Sequence, residues 1–348
     1  MASGAKRDER TIRKVSGLDS ILGQDSVVDF LFTGLDRGRL AHALLMSGPQ
    51  GVGKHSTALA LAQALNCPTA PGKGCGTCNT CSRILRGVHP DVLEVEPDGR
   101  WIKIDQVRAL ESRVESGPHE AETLVIIFDP ADRMNAAAAN ALLKSLEEPK
   151  RSVLFCLVTS APHAILPTVR SRCQGLRFGP LSDDVLTDLV KKTVPEVFSS
   201  LDAAAAERVV GLSEGSLGRA VELASDERFG ELLDLVDRTI RAAMAPFDPV
   251  AHFAFAAKLA ELGRELDRFL AMIEFEVRRR TRLTVLAETD QVPPEDSASS
   301  GLLSARVTTG WFRSIERARA RFRANANRKL LCEALILDMT RASSQGRA

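Results

Sequence analysis

A glycine-rich loop with one lysine is the part of this sequence best suited to chemistry. It occupies residues 48–55 and reads Gly-Pro-Gln-Gly-Val-Gly-Lys-His. The glycines at Gly48, Gly51 and Gly53 let backbone N–H groups turn toward an anion. Lys54 follows them and can reach the outer phosphates of a nucleotide. The loop therefore predicts a phosphate-binding site.

The flanks of this loop favour a nucleotide site over an ordinary glycine turn. Residues 43–46, Ala-Leu-Leu-Met, predict a short buried strand, and the Ala/Leu-rich residues 56–65 predict a helix. A strand, a glycine loop and a helix in this order are the context that a nucleotide phosphate loop requires. The helix dipole also favours negative charge at this end.

One position of the loop departs from the usual motif. Where a Ser or Thr hydroxyl would bind Mg²⁺, the sequence has His55, followed by Ser56. Magnesium is a hard ion that takes oxygen ligands, so an imidazole is a poor replacement. The loop is predicted to bind nucleotide without being equipped to hydrolyse it.

A second acidic group is predicted close to the loop. Asp129 ends the apolar run 124–128, which is typical of a buried parallel strand. At such a position a carboxylate organises the magnesium shell of a nucleotide site. The next residue usually supplies the glutamate that polarises water, and here it is Pro130, which has no base. The alternative is that Asp129 only caps its strand.

Four of the seven cysteines are spaced as zinc ligands: Cys67, Cys75, Cys78 and Cys81. Thiolates two residues apart can bend onto one tetrahedral Zn²⁺, and glycines between them allow the tight backbone that this needs. Disulfides or unrelated thiols are the weaker alternatives. Four protein ligands leave no open position, so the predicted zinc is structural. We interpret the other three cysteines as thiols of the hydrophobic core: Cys156, Cys173 and Cys332.

An arginine follows the apolar run at 153–158. Arg172 lies in the segment Ser171–Cys173, a short distance after that predicted strand. Most arginines in such a place are solvated charges. An arginine there can also be presented across an interface as a finger that stabilises charge on a neighbour's γ-phosphate. The spacing alone leaves both interpretations open.

Composition narrows the class of protein. The chain has 348 residues, more than one hydrophobic core usually serves, with 44% hydrophobic and 26% charged residues. Its net charge of +1 gives no general argument for nucleic acid. Residues 1–14 are basic and polar, and we interpret residues 1–15 as a disordered tail, not a secretory signal. No run is long enough for a membrane span, so we expect a cytoplasmic protein.

The elements that must position these residues form an α/β part followed by a helical part. Strands alternate with helices up to Phe178, which predicts an α/β domain over 16–179 with a parallel sheet and a zinc module at 67–81. From there on the patterns are helical. We predict a helical lid over 180–228 and an all-α collar over 229–348, interrupted by a Pro/Ser-rich loop at 288–300.

Taken together, these segments resemble the clamp-loader branch of the AAA+ ATPases over nearly the whole chain. The resemblance rests on the phosphate loop, the cysteine insert and three further segments: 129–134, 140–149 and 171–173. Three more segments favour a clamp-loader subunit other than the gamma/tau motor: 89–91, 102–108 and 325–330. The resemblance implies a three-domain AAA+ subunit in a ring with gamma/tau and delta subunits, which loads a sliding clamp on primer-template DNA.

The resemblance also implies roles for individual residues. Arg172 corresponds to the arginine finger, Thr159 lies near the sensor-1 position, and Arg219 corresponds to sensor 2. ATP is the implied ligand, whereas the magnesium site lacks its hydroxyl. His55 and Pro130 depart from the motor pattern, and so the implied role is a stator that does not hydrolyse ATP itself.

Two alternatives remain open at the level of sequence. An active gamma/tau-type ATPase would need Ser56 or a water to replace the missing hydroxyl and Asp132 to replace the glutamate. A direct DNA reader would use the arginine-rich runs 278–282 and 313–323, although such runs are usually solvated helix faces or subunit contacts.

Overall fold

The structure, a computed structural model, describes residues 16–150, 152–288 and 305–345 of the chain. The predicted tail at 1–15 lies outside the described residues, as does nearly all of the predicted loop at 288–300. Within the described part, no helix has both the length and the apolar character needed to cross a membrane.

The chain forms two compact units. The first runs to Leu201 and takes in Ser213–Ala224, and the second comprises Asp202–Leu212 and the residues from Ser225 onward. A helix within the predicted lid therefore groups with the second unit. The three-part division into AAA+ domain, lid and collar stays a prediction.

The first unit is built on a parallel sheet. Its strands are β1 (Ala43–Ser47), β2 (Val92–Val95), β3 (Leu124–Phe128), β4 (Val153–Thr159) and β5 (Gln174–Arg177). The five lie in the order β2-β3-β4-β1-β5, and each neighbouring pair is parallel. Every residue of β3 and β4 is buried, which explains why these strands read as unbroken apolar runs.

Helices cover both faces of this sheet. The helices of the first unit up to Leu201 are α1 (Asp25–Asp36), α2 (Lys54–Asn66), α3 (Asn79–Leu85), α4 (Ile104–Ser116), α5 (Ala136–Glu147), α6 (Pro167–Arg170), α7 (Asp183–Thr193) and α8 (Pro195–Ser199), of which α1 to α6 contribute to the cores beside the sheet. Leu44 and Met46 of β1 share one apolar core with residues of α1 and α2. Ala43 and Leu45 share the other core with residues of α4 and α5. Because successive strand residues face opposite ways, one strand supplies both cores.

The predicted α/β class, with its phosphate loop after β1, is confirmed. The strand β5 was not predicted, because only Leu176 of its four residues is buried and no apolar pattern marks it. It lies at the edge of the sheet beside β1, where one face and one side are open. The strand that ends at Asp129 is separated from β1 by β4.

The helices after α8 are α9 (Ala203–Leu212), α10 (Leu217–Ala224), α11 (Phe229–Met244), α12 (Pro249–Ala260), α13 (Leu266–Glu288), α14 (Ala305–Arg323) and α15 (Arg328–Gln345). Of these, α10 belongs to the first unit and the others to the second. In the second unit, Trp311 of α14 is fully buried and donates its indole N–H to Met339 O of α15 at 2.8 Å. This contact anchors the last two helices to each other.

The first arginine-rich run is used inside the second unit. Glu276, only 1% exposed, accepts hydrogen bonds from Arg279 and Arg280 on its own helix. Arg208 of α9 lies within 3.3 Å of the same carboxylate. A buried carboxylate must be paired in this way, since an isolated one would be costly. These pairs give that part of the run a structural role, and DNA reading by either run stays a prediction.

A buried carboxylate fixes the beginning of β2. The Asp91 side chain accepts backbone N–H groups from His119, Glu120 and Ala121, at 2.8, 2.8 and 2.9 Å respectively. It also receives a guanidinium N–H from Arg113 at 2.8 Å. Burial opposes ionisation, but these donors together lower the pKa of Asp91 to about 2. The charged form therefore ties the segment before β3 to the start of β2.

The Asp91→Asn variant should lose stability in a pH-dependent way. The folded pKa of about 2 lies below the ordinary pKa of 3.8. The ionised carboxyl therefore stabilises the fold fully above pH 3.8, and this contribution is lost as the pH falls toward 2. By linkage it is worth about 2 kcal/mol at neutral pH. Urea unfolding of wild type and variant between pH 6 and pH 2 measures the difference.

The exposed Asp98, which pairs with Lys103 at 2.6 Å, provides the matched control. Asp98→Asn should change the free energy of unfolding little, because surface ion pairs contribute little. Parallel pH curves for wild type and Asp91→Asn would contradict the assignment.

Candidate nucleotide and metal sites

The phosphate loop is shaped by close backbone contacts. Residues 48–53 connect β1 to α2, and Gly53 caps the helix with a φ of 101°. A Cβ on Gly48 would come within 2.3 Å of Phe178 O, and one on Gly51 within 2.2 Å of Ser216 Oγ. Glycine is therefore required at Gly48 by space and at Gly51 and Gly53 by their positive φ angles of 76° and 101°.

A buried glutamine holds this loop in place. Gln24, at the start of α1, donates its amide N–H to Val52 O at 3.3 Å and to Gly179 O at 2.8 Å. The backbone N–H of Leu217, the first residue of α10, donates to Gly51 O at 2.9 Å. Nothing in the local sequence around Gln24 indicates contacts with residues so far along the chain.

Lys54 is buried, with 6% of its surface exposed. Its ammonium donates to Gly48 O at 2.8 Å and to Pro49 O at 2.5 Å. Burial lowers the pKa of Lys54, while the nearby carboxylates of Asp129 and Asp132 act in the opposite direction. The ammonium thus lies inside the loop, bonded to carbonyl oxygens that phosphate oxygens can replace.

His55 lies between two carboxylates. Its Nδ1 is 2.9 Å from Asp129 Oδ2 and its Nε2 is 3.3 Å from Glu94 Oε2. The contact at Nδ1 is an ion pair without the alignment of a hydrogen bond, because no acceptor lies along that N–H. Burial alone would lower the pKa of His55, but the two carboxylates raise it to about 9. The ring is therefore a cation at neutral pH.

Glu94 is the residue of this group that sequence reasoning missed. It lies near the carboxyl end of β2, and the sequence shows only an alternating strand there. Asp129 directly follows β3, and the phosphate loop follows β1. Because the strands are parallel, these ends share one edge of the sheet, and the side chain of His55 bridges them.

A second pair lies at the end of β4. Thr159 is buried, and its hydroxyl donates to Asp132 Oδ1 at 2.5 Å while accepting the backbone N–H of Ala161 at 2.9 Å. Asp132 is the carboxylate that an active ATPase would need as its base. In this structure its Oδ1 already accepts a hydrogen bond. The sensor-1 role of Thr159 stays a prediction.

The two predicted arginines have partners of their own. The guanidinium of Arg172 lies 2.6 Å from Glu147 Oε1 and donates to Thr168 O at 2.9 Å. About a third of its side chain, 36%, is exposed. Arg219 pairs with Glu214 at 3.1 Å on the surface. Neither the finger role of Arg172 nor the sensor-2 role of Arg219 is tested by these contacts. Ser56 lies half-buried on the first turn of α2.

The four predicted cysteine ligands come together. The sulfur atoms of Cys67, Cys75, Cys78 and Cys81 all lie within 4.8 Å of one another. Two of the separations are 3.8 Å and 4.0 Å. Zinc–sulfur bonds of about 2.3 Å in a tetrahedron place the sulfurs about 3.8 Å apart, so the cluster fits a metal ion such as zinc.

Backbone N–H groups prepare these thiols for a metal. Ala70 N donates to Cys67 Sγ at 3.2 Å, and Cys78 N donates to Cys75 Sγ at 3.3 Å. The N–H groups of Cys78 and Thr77 are the main cause of the lowered pKa of Cys75, about 5. Since a thiolate is the form that binds metal, this geometry suits a metal centre.

The cysteine module is attached to the phosphate-loop helix. Cys67 is the residue that ends α2, and the buried Gln63 of α2 donates to Cys81 O at 3.4 Å. Gln63 also accepts the backbone N–H of Gly17 at 2.8 Å. Leu18 N in turn donates to Lys73 O at 3.0 Å. Metal binding would therefore stabilise the carboxyl end of α2 as well as the module itself.

Comparison with known proteins identifies the relatives of this chain. The sequence model of the family described as "DNA polymerase III, delta subunit" matches residues 23–182. A delta prime subunit of DNA polymerase III from Bacillus subtilis is 36% identical over 60% of this chain and 61% of its own length. One from Pseudomonas aeruginosa is 31% identical over 86% of this chain and 92% of its own length. The DNA polymerase III tau subunit of B. subtilis is 31% identical over 59% of this chain and 36% of its own length.

A phosphate loop between β1 and α2 of a parallel sheet defines a P-loop type of α/β unit, and these relatives place the chain among the clamp-loader subunits of DNA polymerase III. The chain spans less than two thirds of the B. subtilis delta prime subunit but most of the P. aeruginosa one. On that second match, it belongs to the delta prime family of DNA polymerase III subunits. The resemblance stated from the sequence is confirmed.

The purified chain should carry about one zinc ion, and Cys78→Ser should lose it, because three thiolates leave the tetrahedron open. Metal analysis by inductively coupled plasma mass spectrometry measures both. The thiol of Cys156 is buried in the sheet, away from the cluster in sequence, so Cys156→Ala is the control that should keep its zinc. Wild-type protein that holds no metal after purification without chelators would contradict the zinc assignment.

Proposed function

We propose that the chain is the delta prime subunit of a DNA polymerase III clamp loader, acting in the cytoplasm as a stator with little or no ATP hydrolysis of its own. It assembles with gamma/tau and delta subunits and donates Arg172 to ATP bound by a neighbouring motor subunit. The ring then opens a sliding clamp and places it on primed DNA. Membership of the delta prime family supports the assembly, and the local geometry of the phosphate loop supports the division of labour.

The observation that carries the proposal is the ion pair of His55 with Asp129 at 2.9 Å. In a motor subunit, the residue after the lysine and the acid after this strand would both serve the magnesium ion. Here these two residues, His55 and Asp129, form an ion pair with each other. Pro130 then occupies the position of the catalytic glutamate and offers no base. The phosphate loop retains Lys54 and its glycines, so its ability to bind an anion is kept while the hydrolytic groups are missing.

The isolated chain should therefore show no ATP turnover above background, because both the magnesium ligand and the base are lost. Phosphate release from purified protein, with and without primed DNA, measures this. Turnover on the order of 1 s⁻¹ that disappears in Lys54→Ala would contradict the proposal and would favour the alternative, an active gamma/tau-type ATPase with Asp132 as its base.

Arg172 is suited to act on a neighbour. It lies just after α6, a four-residue helix, where backbone and side-chain oxygens of its own segment hold one side of the guanidinium. The pair with Glu147 is partly exposed, and pairs of that kind contribute little stability. The guanidinium can therefore exchange this carboxylate for phosphate oxygens at small cost. Its fork of donors matches the oxygens of a γ-phosphate.

The Arg172→Ala variant should fold and assemble but lower the DNA-stimulated ATPase and clamp loading of the reconstituted ring. Fingers contribute roughly 10³ to 10⁵ in rate, and since only some of the motor sites would lose theirs, the loss for the whole ring should be smaller. Native mass spectrometry confirms assembly, and loading of a labelled clamp measures the rate.

Three variants separate a finger from a structural arginine. Arg170→Ala and Arg177→Ala remove nearby exposed charges and should load normally. Glu147→Gln removes the partner but keeps the guanidinium, so it should also load normally if Arg172 is a finger. Wild-type loading by Arg172→Ala in an assembled ring, or equal defects in Arg172→Ala and Glu147→Gln, would show that Arg172 is structural.

A further inference from the structure

The space where a phosphate loop usually holds magnesium contains a side chain of this protein. Magnesium takes oxygen ligands in near-octahedral geometry, supplied at such loops by a hydroxyl after the lysine and by strand-end carboxylates. The residue after Lys54 is His55, which offers nitrogen. The two carboxylates nearest to it, those of Asp129 and Glu94, are both within 3.3 Å of its ring.

The residues at this place do not fit a magnesium ion. Carboxylate oxygens lie 2.9 Å and 3.3 Å from the two ring nitrogens of His55, and their negative charge favours the cationic form of the ring. A metal ion bound by Asp129 and Glu94 would have to displace that cation. Among the described residues, the cysteine cluster is the only group of three or more ligand side chains close enough to hold a metal ion.

The anion-binding part of the loop remains. Lys54 donates only to loop carbonyls, which a phosphate can replace, and Gly51 and Gly53 keep the left-handed conformations that turn backbone N–H groups inward. Lys54 and the His55 ring, from adjacent residues, together supply two positive charges. Asp129 and Glu94, which contact the His55 ring, supply two negative charges, and Asp132 near Lys54 supplies a third.

We propose that the imidazolium of His55 takes the place of the divalent cation at this phosphate loop, so that the chain binds nucleoside di- and triphosphates without magnesium. The proposal rests on the stator function above and deepens it. A cation that is covalently attached cannot leave with a product, and it carries one charge fewer than Mg²⁺. The cation would therefore be a fixed part of the subunit, and a nucleotide bound here would be held more weakly than Mg·ATP at a motor site.

Calorimetric titration of the zinc-loaded chain with ADP and ATP tests the proposal, first in magnesium-free buffer and then with magnesium added. Strong chelators are avoided so that the cysteine cluster keeps its metal. Magnesium should change the wild-type Kd by less than about threefold. His55→Ser restores the hydroxyl and frees both carboxylates, so in that variant magnesium should tighten binding by about tenfold or more.

Two further variants locate the effect. Lys54→Ala should lose binding with or without magnesium, which shows that the titration reports this loop. His119→Ser removes an exposed imidazole elsewhere in the first unit and should behave as wild type. Should His55→Ser fail to fold, electron paramagnetic resonance with Mn²⁺ and ADP tests the wild-type chain by itself, because the proposal predicts no bound Mn²⁺ signal at the loop.

Two results would overturn the proposal. One is wild-type binding that magnesium tightens by about tenfold or more, or a bound Mn²⁺ signal that ADP induces in wild type and Lys54→Ala removes. The other is no binding of either nucleotide in either buffer. That second result leaves the stator function standing, since the Arg172 variants test it in the assembled ring. Conversely, normal loading by Arg172→Ala leaves the His55 proposal unaffected.

Discussion

The parallel direction of all five strands is the constraint on which the site depends. Strands that run the same way bring their carboxyl ends to one edge of the sheet, and every connection must return over a face. The loop after β1, Glu94 near the end of β2, Asp129 after β3 and Thr159 at the end of β4 therefore meet there. Residues more than 100 positions apart become neighbours because the strands that carry them end at the same edge of the sheet.

Electrostatic compensation stabilises the carboxylates at this edge of the sheet. Two carboxylates on neighbouring strand ends repel each other, and partial burial makes that repulsion more expensive. The imidazolium of His55 offsets both charges at once, at 2.9 Å and 3.3 Å. Hydrogen bonds from the Lys54 ammonium to carbonyl oxygens of its own loop offset the cost of burying that charge. Two side chains of α2 thus offset the carboxylates of Asp129 and Glu94.

The cysteine module, at the other end of the same helix, is suited to a metal ion. Its sulfurs lie at metal-ligand separations, and backbone N–H groups already point at them. Four thiolates suit zinc, whereas the phosphate-loop end presents a cation between carboxylates. One helix, α2, therefore connects a place built for a metal ion with a place whose ligands are already neutralised.

The sequence by itself determined the elements that depend on local pattern. The apolar runs of β1, β3 and β4 predicted a buried parallel sheet, the glycine loop predicted its own conformation, and the cysteine spacing predicted a cluster, because each signal is contained in a few consecutive residues. The strand β5 could not be predicted, since an edge strand with one buried residue carries no such pattern.

Only the tertiary structure decided which side chains share a contact. The sequence identified His55 as a defective magnesium ligand, but its partner Glu94 lies 39 positions away on an ordinary alternating strand. The bond of Thr159 to Asp132, the link of Gln24 to the loop and the pairing of Arg208 with Glu276 are of the same kind. Each depends on strand order and helix packing, which bring together residues whose local sequences contain no record of one another.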